Sequence, residues 1–578
     1  LPPTERKART GELTPPGISF WAALKSSWER VVLCTGAETG AEVKTQSADV
    51  EGLRAHAGLK RGPSLRNRRP MGPATRCSLR SWHCRPDAVM PDWGLLERRL
   101  KALLPARAVV AKRQELLAYD CDGLTLHRHQ PPLVVLPETT EQVAAVVRCC
   151  HELAVPFIAR GSGTGLSGGA LAEQPALVIA TTRMRRVLEL DLDNARITVQ
   201  PGVINSWVTR AVAGDGYYYA PDPSSQVACS IGGNVAENSG GVHCLKYGVT
   251  SNHVLAMEVV LPDGSVTTLG GDLPEMPGLD LRGVFIGSEG TLGIATAITL
   301  RLLRSPASVA VLLADFPSME AAGDAVRRIT GAGVLPAGME MMDNPCIQAV
   351  DDYFGVDEYP REAAAVLLIE LDGHELEVKE SVELASRLCL QAGAGAVREA
   401  WSEEARARLW KGRKSAITAL GRQFPSYYLQ DGVVPRTALP GVLAAIDRLS
   451  AEHGLPVANV FHAGDGNLHP LILYRSGDPG VNERVKTLAA EILRLCIEAG
   501  GSISGEHGVG SDKRCYMDWM FSADDQATMQ RVRRAFDPDD LANPGKIFPT
   551  PRTCGESLRR LVELKQEGVE LPAEAVLF

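Results

Sequence analysis

The chain of 578 residues has 13 cysteines and no CxxC pair among them. An odd, scattered cysteine set argues against a disulfide scaffold, an iron–sulfur site or a Cys-rich zinc site, and fits a reducing compartment. Cys149-Cys150 falls inside a helical pattern and reads as core. No apolar run reaches about 18 residues, which argues against a membrane-spanning helix. Positive charge is not in excess: 61 Lys and Arg face 69 Asp and Glu, a formal charge of −8. The basic footprint of a nucleic-acid-binding protein is therefore missing. No short-period repeat is visible.

What is present is globular composition, 45% hydrophobic and 22% charged, with 56 glycines and 37 prolines for turns and close backbone approaches. The first ninety residues differ from the rest. They hold 15 Lys and Arg against 8 Asp and Glu and lack sustained periodicity. A transit peptide is one reading. A disordered tail, or sequence upstream of a start at Met90, is preferred, because the leader has no clean amphipathic Arg/Ser helix.

From 91 to 130 the pattern is a charged helical lead-in. Pro131 to Pro137 then reads as a strand bounded by prolines, and Thr139 with Gln142 as the capping box of a helix. The stripe Val143, Val146, Val147, Cys150, Leu153 gives that helix a buried face. Further strands are expected at 155–160, 176–181, 196–200, 255–261 and 294–303. A new rhythm of strands and helices runs from about 307 to 530. An irregular segment follows over 531–550, and a charged helical tail over 551–578.

Gly163-Thr164-Gly165-Leu166-Ser167-Gly168 satisfies GxGxxG, with Glu189 downstream as the acidic residue of a nicotinamide-binding unit. That unit needs a helix opening at the loop. Pro175 and the apolar run from Ala176 follow too soon for one. A nest of backbone N–H groups around a pyrophosphate by another topology is preferred. Two further runs support it: Ser230-Ile231-Gly232-Gly233-Asn234 continuing to Gly241, and Ile286-Gly287-Ser288-Glu289-Gly290 continuing to Ile294. Three small-residue runs in one region imply backbone pressed against a large flat ligand.

Asn459 to Tyr474 carries the most chemistry. Two apolar runs flank Gly464-Asp465-Gly466-Asn467, and Asp-Gly is a strong hairpin signal. With Asp465-Gly466 at the turn centre, His462 directly opposes His469, at about 4.5–5.5 Å between Cβ atoms. Two imidazoles so placed can grip one metal ion. The glycine-flanked pair Glu506-His507 offers a third ligand, and a His₂-carboxylate set suits zinc, manganese or iron(II).

The order and identity of these runs resemble the FAD-linked 2-hydroxyacid dehydrogenases of the vanillyl-alcohol oxidase/p-cresol methylhydroxylase superfamily, over about 95 to 550. The branch containing the D-type glycolate oxidase (glycolate dehydrogenase) flavoproteins and the D-lactate dehydrogenases is the most similar. The resemblance implies an α+β protein: a two-subdomain FAD-binding fold over 131–306, an α/β, ferredoxin-like cap with the substrate and metal groups over 307–530, and a segment over 531–550 returning to the flavin. It implies that Arg160, Gly161, Ser162, Gly163, Thr164, Gly165, Leu166 and Ser167 cradle the FAD pyrophosphate. Pro221, Asp222, Ser230, Gly232, Gly233, Asn234, Asn238, Ile294 and Asn543 would line the remaining cofactor path. His462, His469 and Glu506 would hold a divalent metal, and His507 would be the general base. In the run Lys411-Gly412-Arg413-Lys414, Arg413 would pair with the substrate carboxylate; on sequence alone it is one of several exposed helix cations. Some members tether FAD through a His in the first loop. That loop has none here, so non-covalent FAD is expected.

The activity so implied is oxidation of a small 2-hydroxy acid, with glycolate first, D-lactate second and D-2-hydroxyglutarate third. Partner subunits carrying flavin and iron–sulfur centres would take the electrons. The expected location is the cytoplasm, with membrane association at most peripheral and through partners. The rival readings are a non-redox transferase like the alkylglycerone-phosphate synthases and a non-catalytic flavin subunit.

Overall fold

A computed structural model describes residues 91–273, 277–355 and 358–549. The leader before 91 and the tail from 551 lie outside the described residues, and with them the expectations made for both.

Proline-bounded Leu133–Val135 is a strand of a four-stranded sheet, ordered Val109–Val110, Leu133–Val135, Leu177–Ala180, Phe157–Arg160. The last three strands run parallel. The helix Thr140–Glu152 crosses between the first two of these in sequence, burying Val143, Val146, Val147 and Cys150. Its cap differs by one residue from the expected box. Thr139 Oγ1 accepts from the Gln142 N–H at 3.3 Å, but Gln142 Oε1 accepts from the N–H of Glu138, not of Thr139. No helix lies between Phe157–Arg160 and Leu177–Ala180. The GxGxxG run is an irregular loop, as the spacing of Pro175 required.

A second sheet is antiparallel throughout, ordered Val187–Asp191, Arg196–Val199, Ile294–Arg301, Val254–Val260, Val266–Gly270. The third is larger. Its main path runs Val397–Ala400, Ser308–Phe316, Ala365–Gly373, Gly338–Asp343, Val457–His462, Asn467–Leu468, Gly432–Val433. Pro470–Tyr474 joins Ser426–Leu429 to the base of Val457–His462. Alternate residues of its strands face two separate cores. Leu312, Met341, Leu367 and Phe461 face one; Leu313, Met342, Leu368 and Val460 face the other. Such strands read as continuous apolar runs because both faces are covered. The chain finally returns to the first sheet, where Phe157 N–H donates to Leu541 O at 2.9 Å and Asn543 N–H donates to Phe157 O at 2.8 Å. Among the described residues no helix is long and apolar enough to cross a membrane.

Candidate active site

The hairpin register differs from the expected one by two residues. His462 pairs with Asn467, and Asn459 with Pro470, so the turn spans Ala463 to Gly466. Side chains alternate faces with period two, so an even slip leaves both histidines on one face. They meet diagonally, with ring centroids 5.0 Å apart. A slip of one residue would have separated them.

Glu506 completes the group. Its Oε1 lies 3.2 Å from His462 Nε2 and 3.2 Å from His469 Nε2. Its Oε2 is occupied, accepting from the Gly240 N–H at 2.9 Å. Ligands about 2.0–2.2 Å from a zinc-like ion are separated by about 3.0–3.5 Å for octahedral or tetrahedral angles, so these spacings fit one ion. His469 Nε2 is also a buried nitrogen without a hydrogen-bond partner, an atom that a metal would satisfy. The electrostatics agree. Burial disfavours both imidazolium ions. Even so, Glu340 and Glu506 raise the pKa of His462 well above its ordinary value, and Asp431 and Glu506 raise that of His469. Glu506, despite burial, is held well below the usual carboxylate range by the two histidines. A site that gathers positive charge in this way suits a dication, which displaces the protons on binding.

His507 stands beside the triad, stacked on His469 at 5.1 Å between centroids, with Nε2 4.0 Å from Glu506 Oε1. Burial lowers its pKa to about 4. It is therefore neutral near pH 7 and able to accept a proton.

Two supports of this site were not legible in the sequence. Glu340, wholly buried in Gly338–Asp343, stands directly across from His462 and accepts from its Nδ1–H at 2.6 Å. Such a carboxylate fixes the ring and its tautomer. One charged residue inside Met339-Glu340-Met341-Met342 was the available signal, since a buried charge must be paired. Asp431 is the second; its wholly buried carboxylate accepts from the backbone N–H of both Glu506 and His507.

Arg413 is not an exposed helix cation. The helix Glu403–Gln423 turns it inward, 3% exposed, and its Nε donates to Glu340 Oε2 at 2.8 Å with Nη2 at 2.5 Å from the same oxygen. Burying a guanidinium requires a carboxylate, and Glu340 supplies it. Arg413, Glu340, His462 and Glu506 thus form one chain of alternating charge.

Two members of the triad, His469 and Glu506, border a cleft. His469, Glu506 and His507 line it together with Gly161, Ser162, Gly163, Thr164, Gly165, Leu166, Ser230, Gly233 and Asn234. The first two glycine runs interlock: Ser162 N–H donates to Ser230 Oγ at 3.2 Å, and a Cβ on Gly161 would come within 2.2 Å of that oxygen. A smaller adjoining hollow is lined by Arg160, Gly161, Gly232, Gly233 and Ile294. Arg160 Nη1, Asn234 Oδ1 and Glu237 Oε2, on residues that line these hollows, are buried without partners, and Ser167 Oγ beside them is too; a polar ligand such as a dinucleotide could satisfy atoms of this kind.

Other expected cofactor residues serve as struts. Asn543 Nδ2 donates to Gly169 O and Glu289 O, tying the returning segment under the glycine runs. Asn238 ends the helix Ile231–Glu237 in the left-handed conformation and accepts from the Ser251 N–H. Pro221 O accepts from Asn205 Nδ2 at 3.2 Å. Asp222 pairs with His243 Nδ1 at 2.9 Å and Lys414 Nζ at 3.5 Å.

Comparison with known proteins identifies the family. Residues 131–270 match the FAD binding domain and residues 305–547 match the C-terminal domain of FAD linked oxidases. Glycolate oxidase subunit GlcD of Escherichia coli (strain K12) is 49% identical over 474 residues, 82% of this chain and 95% of its own length. The chain belongs to the FAD-linked oxidases. GlcD of Bacillus subtilis (strain 168) is 39% identical over 75% of this chain and 92% of its own length. D-lactate dehydrogenase of Anaerostipes hadrus is 32% identical, covering 78% and 96%. Among solved structures, 4-ethylphenol oxidase from Gulosibacter chungangensis superposes with a TM-score of 0.67 at 20% identity, over 80% of this chain and 100% of that one. The fold of this FAD-linked oxidase is thus the p-cresol methylhydroxylase type expected from its glycine runs, and FAD is its cofactor.

Proposed function

We propose that this FAD-linked oxidase oxidises glycolate to glyoxylate. The observation that carries the proposal is one cleft that joins the glycine runs to a His₂-carboxylate triad and a neutral histidine. Relatives named as glycolate oxidase subunits, at 49% and 39% identity, support glycolate as first substrate. A relative named D-lactate dehydrogenase supports D-lactate as the second reading. One methyl group shifts apolar discrimination by only about 1–3 kcal/mol, so both small acids can react.

FAD would supply the hydride acceptor, held non-covalently because the first glycine loop has no His. His462, His469 and Glu506 would hold a divalent ion, which would supply a Lewis acid able to lower the pKa of a substrate hydroxyl. Zinc, manganese and iron(II) suit the donor set equally. His507, neutral near pH 7, would take the hydroxyl proton on a ring nitrogen. Glu340 keeps the His462 ring oriented, and Arg413 keeps Glu340 ionised. With Nε and Nη2 committed to Glu340, those two nitrogens do not form the bidentate grip on a substrate carboxylate that the family resemblance implies; the support of Glu340 is the role the geometry favours. The relatives are named as subunits of a larger oxidase and this chain carries no CxxC pair of its own. Both facts support electron transfer to partner subunits with iron–sulfur centres, and membrane association through them.

Anaerobic mixing with glycolate, D-lactate, L-lactate and D-2-hydroxyglutarate tests the proposal. Rapid loss of oxidised-flavin absorbance with glycolate or D-lactate, and not with L-lactate, is expected. No loss with any of them, in protein shown to hold flavin and metal, overturns it. Flavin that stays with acid-precipitated protein overturns the non-covalent assignment.

A further inference from the structure

Resting on this reading, we infer that Asp431 is the positioning residue that holds both the metal ligand Glu506 and the base His507 in register with the histidine hairpin. Ser504 to His507 belongs to no helix or strand, so its backbone donors have no ladder to satisfy them. Three consecutive N–H groups converge on Asp431 Oδ2: Gly505 at 3.0 Å, Glu506 at 3.1 Å and His507 at 2.8 Å. Successive N–H groups curled in this way form an anion nest, and here the anion is a side chain of the same protein. The Ser504 hydroxyl donates to the same oxygen at 2.7 Å and accepts from the Gly508 N–H at 2.9 Å, which closes the loop on itself. Oδ1 also accepts from the Glu506 N–H, at 3.2 Å, and lies 3.5 Å from His469 Nε2. One wholly buried carboxylate therefore touches the loop bearing Glu506 and His507 and also the second histidine ligand.

Asp431, His469 and His507 also lie close enough to form a ligand set of their own, with ligand atoms within 4.8 Å of one another. Two observations make Asp431 a holder rather than a ligand. Its Oδ2 is already saturated by four loop donors, and its Oδ1 accepts from the Glu506 N–H. The Lys513 ammonium, 3.4 Å from Oδ2 and itself buried, opposes a second cation there. Gly505 adds a constraint: a Cβ on it would come within 2.4 Å of Asn467 Oδ1, so the loop is pressed onto the hairpin that carries both histidines.

Asp431→Asn removes the charge and presents an amide N–H₂ to donors, while Ser504→Ala removes one of the supports and leaves the carboxylate. The FAD-loaded protein, stripped of metal by a chelator, is titrated with manganese(II) and followed by electron paramagnetic resonance. The expected result for Asp431→Asn is unchanged flavin content, an altered line shape of bound manganese, and affinity weakened by about 10–100-fold, the usual cost of losing an outer-shell partner. Ser504→Ala is expected to weaken binding in the same direction by less, and it decides the matter if Asp431→Asn does not fold. Manganese affinity within twofold of the parent and an unaltered line shape in the variants that fold overturn the assignment of Asp431 alone. A parent that binds no manganese, or whose binding survives His469→Ala, overturns the metal reading and this inference with it.

Discussion

Replacing Arg413 with methionine separates two roles for this side chain. The Arg413 side chain is 4% exposed and that of Glu340 0%, so the substitution leaves a wholly buried carboxylate with His462 to answer it. Removing one partner from a buried ion pair costs about 3–5 kcal/mol. The His462 Nδ1–H, 2.6 Å from the other Glu340 oxygen, offsets part of this and puts the expected loss at the lower end. About 3 kcal/mol is roughly two decades in an equilibrium constant. Arg413→Lys keeps the charge and loses the forked contact, at about 1.5–3 kcal/mol for a charge-assisted hydrogen bond. A large flavoprotein unfolds irreversibly, so the assay compares thermal inactivation rates, read by release of flavin fluorescence, with metal content measured in parallel. The expected order of stability is parent, Lys variant, Met variant, with metal retention falling in the same order. A methionine variant with the parent's inactivation rate and metal content, and only a raised KM, would refute the reasoning and give the guanidinium to the substrate.

His507→Ala is expected to keep flavin and metal but lose about 10²–10⁴-fold in turnover, the usual contribution of a general base; stopped-flow flavin reduction measures it, and near-normal turnover removes His507 from the chemistry. Chelation is expected to abolish flavin reduction by glycolate without releasing flavin, and unchanged reduction would make the metal structural or absent. His243 bridges Asp222 at 2.9 Å and Glu370 at 2.9 Å, with Lys414 and Trp410 on the same carboxylates. Burial lowers its pKa, but the two carboxylates win and hold it well above 6.5. The group binds its proton more tightly when folded, so its contribution is complete below about pH 6.5 and is lost as pH rises through the folded-state value. The stability gap between the parent and His243→Gln, followed from about pH 6 to about pH 10, is therefore expected to shrink with rising pH; a gap independent of pH would place the ring there as a neutral spacer.

The sequence by itself determined the local chemistry. Pro175 and the apolar run after it forbade a helix behind the GxGxxG loop, and the structure has none. The hydrophobic stripe of Thr140–Glu152 named its buried face. The pair His462 and His469 was legible because a hairpin joins neighbours in sequence and a two-residue error in register preserves the face. Only the tertiary structure decided what holds these groups. Glu340 is 122 residues from His462, Asp431 is 75 from Glu506, and Gly240 is 266 from the carboxylate it caps. Arg413 was misread as exposed for the same reason, since its partner Glu340 lies 73 residues away. A ligand is a property of a side chain and shows in its residue type. Its support is a property of strand order, which sets Gly338–Asp343 beside Val457–His462 through burial summed over the whole sheet, and no short window of sequence contains that sum.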